Sequence, residues 1–348
     1  MNITKILISW YSINKRVLPW RKTKNPYHIW LSEIILQQTQ IKQGLPYYEA
    51  FISKYPNVLS LANAPESEVL KLWQGLGYYS RARNLHASAK YIVNDLNQEF
   101  PDTYKTLLKL KGVGDYTASA IASICFNEPA AVVDGNVYRV LSRFYGIDTP
   151  INSSKGIKLF KALAQDIIDE NNPGDYNQAI MEFGAVQCKP ANPDCNICPL
   201  TQDCVAYRNN NVQELPVKIK AKKPQKKFFN FLVFISDSET TVLEKRKGKG
   251  IWENLYQFPL LESDKSLTEK SIKETLKDYK LTKNSSYKLT LFNQDEIIHK
   301  LSHQHLYAKF WILNVSELPQ AVTPVPISKI NDYAVPVLIG NFIEAFNF

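Results

Sequence analysis

Apolar residues recur three and four apart through most of the first 208 residues, the period that an amphipathic helix buries. The windows 29–42, 66–73, 80–94, 103–109, 115–126, 136–145, 155–170 and 176–187 carry it, and Ile3, Ile6, Leu7 and Trp10 repeat it at the start of the chain. Pro56-Asn57, Gly75-Leu76-Gly77 and Pro173-Gly174 punctuate the run as turns. From residue 228 the period changes. Phe228–Ile235, Thr241–Lys245 and Tyr307–Leu313 are rich in β-branched and aromatic residues and read as strands, while 267–279 and 334–346 read as helices. Between the two regions, Asn209 to Lys227 is polar, basic and poor in large apolar residues, as a solvated connector would be. The pattern therefore predicts an all-α domain over 1–208, a connector over 209–227 and a small α+β domain over 228–348.

Composition narrows what these domains do. Of 348 residues 45% are hydrophobic and 12% aromatic, enough for two cores. A net charge of +9 points to a polyanionic partner, nucleic acid before membrane. No apolar run reaches the ~18 residues of a membrane span. The N-terminal residues have helical spacing and no small-residue cleavage site, so the expected location is the cytoplasm, at the nucleoid, where thiols stay reduced.

That setting matters for Cys188, Cys195, Cys198 and Cys204, spaced C-x6-C-x2-C-x5-C after an apolar helical run. Pro190, Pro193 and Pro199 keep the loop out of helix. Zinc would more usually show two close pairs, or Cys/His pairs, and the nearest histidine, His86, is far upstream. The spacing favours an iron–sulfur cluster over zinc, and disulfides are disfavoured in a reducing compartment. Cys125 lies in an apolar helical stretch, as a core residue would.

Three segments bear on chemistry. In Leu110-Lys111-Gly112-Val113-Gly114-Asp115 one helix stops, two glycines turn the chain, and another helix starts, so backbone N–H groups can meet a phosphate. Asp134, in Val132-Val133-Asp134-Gly135-Asn136, stands where it can cap a helix and also where a carboxylate can face a developing cation. Glu33 sits within a mostly apolar helix, where a raised pKa would suit a general acid.

With Leu18-Pro19-Trp20-Arg21, Leu36-Gln37-Gln38-Thr39-Gln40 and Gly75-Leu76-Gly77-Tyr78-Tyr79, these segments resemble the MutY-type adenine DNA glycosylases of the endonuclease III-like helix-hairpin-helix superfamily. The resemblance runs through the first ~208 residues and implies two helical modules, the second completed by the N-terminal helices. It implies a [4Fe–4S] cluster on the four cysteines of the 188–204 loop. It also assigns roles. Glu33 protonates adenine; Asp134 stabilises or captures the oxocarbenium-like sugar, assisted by Tyr116 and Asn136. Arg21 and Gln178 contact the flipped base, and Gln38 and Tyr78 fill or wedge the opened duplex. Gly112, Val113 and Gly114 offer amides to a phosphate. In bifunctional relatives a lysine occupies the Tyr116 position. A tyrosine forms no Schiff base, so lyase activity should be weak or absent. Lys111, where the family often has proline, is a departure that leaves an alternative amine open.

The C-terminal part resembles the MutT/Nudix-like domain of the same family, through Gly250-Ile251-Trp252-Glu253-Asn254-Leu255-Tyr256. The R-E-x-x-E-E run of active nucleotide-diphosphate hydrolases is missing, so recognition of 8-oxoguanine is the implied role. The family's Phe-Ser-His loop corresponds to Leu301-Ser302-His303, with leucine replacing the aromatic. The implied partner is double-stranded DNA with A:8-oxoG or A:G mispairs, bound by a monomer. A cluster-bearing DNA binder without catalysis would need neither Glu33 nor Asp134, and a bifunctional pyrimidine-lesion glycosylase is opposed by Tyr116 and the C-terminal domain.

Overall fold

The computed structural model describes residues 3–220, 223–282, 286–318 and 322–348. Its helices are α1 (Ile3–Asn14), α2 (Pro26–Leu36), α3 (Ile41–Lys54), α4 (Val58–Asn63), α5 (Glu66–Leu72), α6 (Ser80–Asp95), α7 (Tyr104–Leu107), α8 (Asp115–Phe126), α9 (Gly135–Tyr145), α10 (Ser154–Asp166), α11 (Pro173–Val186), α12 (Val205–Arg208), α13 (Glu269–Lys277) and α14 (Val337–Phe346). No described helix is long and apolar enough to cross a membrane. The chain forms two compact units, Met1–Ala64 with Arg83–Lys220, and Pro65–Ala82 with Ala221–Phe348.

In the helical unit one core gathers Leu7, Val137, Phe160, Ile180 and Phe183, so the N-terminal helix packs into the C-terminal half of the unit. Trp10 meets Phe183 edge-on at 5.0 Å, and Thr4 Oγ1 donates to the Ile167 carbonyl at 2.9 Å. Where helices lie closest, glycine makes room. A Cβ on Gly184 of α11 would stand 2.6 Å from Asn136 Cβ and 2.9 Å from its carbonyl oxygen. Any larger residue would push α9 away from α11, and α9 begins at the candidate site.

Several expectations change. The helix expected over 29–42 stops at Leu36, because Gln37 turns extended and Gln38 takes φ 54, a left-handed conformation that L-residues rarely adopt. The first part of the connector is not solvated chain. Leu215 is buried, Arg143 Nε donates to its carbonyl at 3.0 Å, and Ile151 N donates to Val217 O at 3.0 Å. Asn152 grips both the N–H and the carbonyl of Ile219. Residues 209–220 thus belong to the helical unit, and a strand starts already at Gln225. Ala221 and Lys222 lie outside the described residues.

The second unit is built on a sheet ordered Leu260–Ser263, Gln225–Ser236, Gln304–Val315, Lys288–Leu291, with Ile297–Lys300 also paired to Gln304–Val315. The central pair is parallel, from Gln225↔Gln304 to Ser236↔Val315, and the flanking pairs are antiparallel. Leu232, Phe234, Trp311 and Leu313 bury one face with Ile272 and Leu276 of α13. Phe231, Phe310 and Phe342 of α14 stack on the other. Residues 65–82, expected in the helical domain, group with this unit: Tyr79 Oη donates to Val335 O at 3.1 Å, and Asn254 Nδ2 to Glu66 Oε1 at 2.8 Å. The strand expected over Thr241–Lys245 is only two short bridges, Thr240–Thr241 and Glu244–Lys245.

Candidate active site

A cavity of about 620 Å³ in the helical unit is lined by Arg21, Glu33, Tyr116, Asp134, Asn136, Arg139, Gln178 and Glu182, among others. Four helices and one 3-10 turn deliver these residues. Pro26 at the first position and Asn25, whose side chain accepts from Tyr27 N, start α2 and set the phase that turns Glu33 inward. Gln37 Nε2 ties the end of α2 to Thr117 of α8 at 3.1 Å.

Asp134 caps a helix, the first of the two purposes its sequence position allowed, and lines the cavity as well. Its Oδ1 accepts from the amides of Asn136 (2.9 Å) and Val137 (2.8 Å), which caps α9. Its Oδ2 receives only 2.7 Å away the side-chain amide of Asn136, whose own Oδ1 is held by Arg139 at 2.8 Å. Arg139 is fixed in turn by the carbonyls of Gly184 and Cys188. Burial raises the Asp134 pKa, and the hydrogen bonds from Val137 and Asn136 oppose that rise without cancelling it.

Glu33 has fewer compensations. Burial pushes its carboxyl up to about 7; the Tyr116 hydroxyl, hydrogen-bonded to it, pulls the other way, and the charge of Asp134 adds to the rise. The Tyr116 hydroxyl, itself held well above its ordinary range by burial and by Glu33, also lies 3.2 Å from Met181 Sδ. A carboxyl that can carry a proton near neutral pH, facing a second carboxyl in one cavity, can donate a proton on one side and steady a cation on the other.

Glu182 is the functional neighbour that the sequence reading missed. Burial would raise its carboxyl, but hydrogen bonds from Arg16 (2.6–2.9 Å) and Arg21 (2.8 Å) override this and hold it at about 2. Arg21, expected at the base, is thereby clamped in the cavity wall by Glu182 and by the Arg16 carbonyl. Gln178 beside it accepts from Tyr11 Oη at 3.1 Å. Lys111 does not line the cavity and is exposed; its carbonyl accepts from Ser88 Oγ. The amine that does line it is Lys42.

The hairpin has Gly112 at φ 80 and Gly114 at the N-terminus of α8 without a side-chain cap. The Val113 N–H, expected to face a phosphate, donates instead to Leu110 O at 3.1 Å inside the turn. Gln38, exposed and left-handed, does not line the cavity. Tyr78 belongs to the other unit; it has φ 45, a half-exposed ring and Arg81 5.8 Å from the ring centre. In that unit Leu301-Ser302-His303 forms the turn between the last two sheet strands, closed by Leu301 N to Gln304 O at 2.9 Å, with Ser302 and His303 exposed.

The cysteines 188, 195, 198 and 204 are all free thiols. Cys188, Cys198 and Cys204 pack against the helical core, and burial, followed by the charges of Cys188 and Cys204, raises the Cys195 thiol, so the sulfurs lie within each other's field. Arg143 Nη1 is 3.4 Å from Cys188 Sγ, a counter-charge for thiolate. Among the described residues no three His, Cys, Asp or Glu side chains converge as ligands of a single ion. Four thiols on one loop beside an arginine are, by their chemistry, a thiolate donor set.

The sequence matches two families in tandem: the HhH-GPD superfamily of base excision DNA repair proteins over residues 31–165 and the NUDIX domain over 230–345. An adenine DNA glycosylase of Buchnera aphidicola from Schizaphis graminum is 37% identical over 314 residues, which cover 90% of this chain and 88% of that protein. The human adenine DNA glycosylase is 43% identical over 60% of this chain and 40% of its own length. Among solved structures, a thermostable thymine-DNA glycosylase superposes with a TM-score of 0.55 at 30% identity, covering 59% of this chain and 95% of that one. A non-covalent endonuclease III–DNA complex, at 24% identity and a TM-score of 0.52 over 60% of this chain and 94% of that one, shares the fold. The chain belongs to the adenine DNA glycosylases, base-excision repair hydrolases that act on an N-glycosyl bond.

Proposed function

We propose that the enzyme removes adenine mispaired with 8-oxoguanine or guanine from duplex DNA, acting as a monomer and without an efficient lyase step. The reading is carried by one observation: Glu33, with its carboxyl raised to about 7, and Asp134, already anchored as a helix cap, line one cavity. Adenine leaves the stack to enter that cavity. Glu33 delivers its proton to N7, the C1′–N9 bond breaks with its electron pair going to the base, and Asp134 faces the cationic sugar and captures it at C1′ until water replaces the carboxylate. Asn136, braced by Arg139, keeps the Asp134 oxygen aimed. Tyr116, hydrogen-bonded to Glu33, occupies the position from which a lysine would attack the sugar. Arg21 and Gln178 edge the base, Gln38 and Tyr78 support the opened duplex, and the Gly112 and Gly114 amides take a phosphate.

The residues that would hold a [4Fe–4S] cluster are Cys188, Cys195, Cys198 and Cys204. When bound it supplies a rigid, four-point anchor for the 188–204 loop. In the other unit Ser302, at an exposed turn, is the donor offered to 8-oxoguanine, with Leu301 and His303 flanking it.

Single-turnover base release decides the matter, using duplexes with A opposite 8-oxoguanine, G or T, and a T·G duplex because a thymine-DNA glycosylase shares the fold. Release of adenine from the first two and of nothing from the others is expected. Release of thymine, or tight binding without release, would overturn the reading.

A further inference from the structure

The chain enters Asp134 through Pro129–Val132, a stretch without regular secondary structure. Side chains take the place of a neighbouring strand. Gln165 donates to Pro129 O (2.7 Å) and accepts from Ala131 N (3.0 Å). Asn177, fully buried, donates to Ala130 O (2.8 Å) and accepts from Val132 N (3.1 Å). Lys161 Nζ donates to Ala131 O (2.7 Å). Ala131 and Val132 are buried, so their backbone groups must be paired, and these three residues of α10 and α11 fix the path that ends at the carboxylate.

Lys161 does something the other two do not. Its ammonium also reaches Asp115 at 2.9 Å and Ser119 Oγ at 3.1 Å, both on α8. An ammonium has three donors, and Lys161 spends one on each of these acceptors. It has none left for a phosphate. Asp115 is the first residue of α8, immediately after the hairpin, and also accepts from Tyr104 Oη at 2.6 Å. A carboxylate there favours the helix N-terminus but repels a DNA phosphate arriving at the same amides.

We propose that Lys161 is a positioning residue that couples the phosphate-binding hairpin to Asp134: it cancels the Asp115 charge beside the arriving phosphate, and it holds the Ala131 carbonyl three residues before the carboxylate that meets the sugar. The inference rests on the roles proposed above for Asp134 and the hairpin. It separates into a binding half and a chemical half, and the two can be read independently.

The test uses the full-length enzyme with an A:8-oxoG duplex, measuring Kd across salt concentrations and the single-turnover rate at saturating enzyme. Lys161→Met should weaken binding by roughly tenfold, through Asp115 left unneutralised against the phosphate. It should slow base release by about tenfold to a hundredfold, the scale of a small misplacement of a reacting group. Adding Asp115→Asn to Lys161→Met should restore Kd and leave the rate low. A Lys161→Met rate and Kd both within about twofold of wild type would overturn the proposal, and recovery of the rate together with Kd in the double variant would overturn its chemical half. If Lys161→Met does not fold, Gln165→Ala tests that half, since it removes two contacts to the segment without touching Asp115: a slower rate at unchanged Kd supports it, an unchanged rate refutes it. Asp134→Asn keeps the failures apart. Wild-type release by that variant would refute the role of Asp134 itself, whereas the binding effect of Lys161 would stand.

Discussion

Around the 620 Å³ cavity the helical unit holds charge in covered places; among the described residues after 223 no buried side chain is charged. Buried polar side chains in that second region are Asn230, Ser236, Thr241, Gln257 and Thr282, all uncharged. Asn230 shows how they behave: it accepts from Trp311 Nε1 at 3.2 Å and reaches Leu261 O, so it fits a sheet core at little cost. Around the cavity the groups are ionisable. Glu182 is repaid by two arginines and Asp134 in part by a helix N-terminus, while Glu33, with a phenol and Arg21 against burial and the neighbouring carboxylate, is pushed up to about 7. Burying an acid with so little compensation opposes stability, and a fold keeps such a group where it has another use. The cavity thus gathers ionisable side chains, whereas the described core after residue 223 buries only uncharged polar ones.

The sharpest way to break that contrast is Glu33→Gln. Base release should fall by a factor on the order of 10² to 10⁴, the contribution of a positioned general acid, while duplex binding stays near wild type. Undiminished turnover would remove Glu33 from the reaction. In the native enzyme the proton donor is lost as pH rises through about 7, so the single-turnover rate should fall about tenfold per pH unit above that value. Stability follows the opposite logic. A carboxyl whose folded pKa is raised contributes its full stability below its ordinary value of 4.5, and loses it progressively as pH rises to about 7. Glu33→Gln should thus raise Tm at pH 8 and change it little at pH 4. An equal effect at both would mean the side chain is not buried as an acid.

The second largest effect should come from the cysteine loop, which belongs to the helical unit yet has almost no regular structure of its own between Cys188 and Cys204. Iron analysis and a broad visible absorption band should show about four irons per chain, as for an all-cysteine [4Fe–4S] centre. Replacing Cys198 by serine should lower that content and loosen the loop toward proteolysis, because metal binding and loop folding are coupled. Zinc alone in anaerobically prepared protein would refute the assignment.

Much of this was legible in the sequence, for reasons that differ by element. The helix expected over 115–126 is found over those residues, where Gly114 opens it and Asn127, in the left-handed region, closes it. The break at Gln37-Gln38 carries no glycine or proline, so local pattern continued the helix through it; α3 beyond it was missed, with Pro46 interrupting its interior. The strands Leu260–Ser263, Lys288–Leu291 and Ile297–Lys300 are flanking strands with largely exposed or half-exposed residues, and leave little apolar alternation to read. At the site, Glu33, Tyr116, Asp134 and Asn136 were named from their motifs and the fold places them around one cavity. Glu182 and Arg16 were not named, since their pairing spans 166 residues. The signal that was present is a glutamate inside the apolar run Ile180–Phe183 of α11, with an arginine two residues before Leu18-Pro19-Trp20.

The smallest expected effect sits in the unit that carries Ser302. Ser302 is exposed at a turn whose closing bond, Leu301 N to Gln304 O, uses backbone alone. Ser302→Ala therefore leaves the turn intact and should change stability by less than about 0.5 kcal/mol. It should remove one hydrogen bond offered to the opposite base, worth about 1 kcal/mol, and so narrow the preference for 8-oxoguanine over guanine by roughly fivefold. The rate on A:G should hardly move, because the chemistry proposed for Glu33 and Asp134 is the same on either duplex. If instead both rates fall together, the turn is acting on duplex binding in general rather than on the lesion. If the ratio is unchanged, recognition lies elsewhere, and Leu301, next to Ser302 in the same turn, becomes the next residue to vary: Leu301→Phe should then widen a ratio that Ser302 does not control.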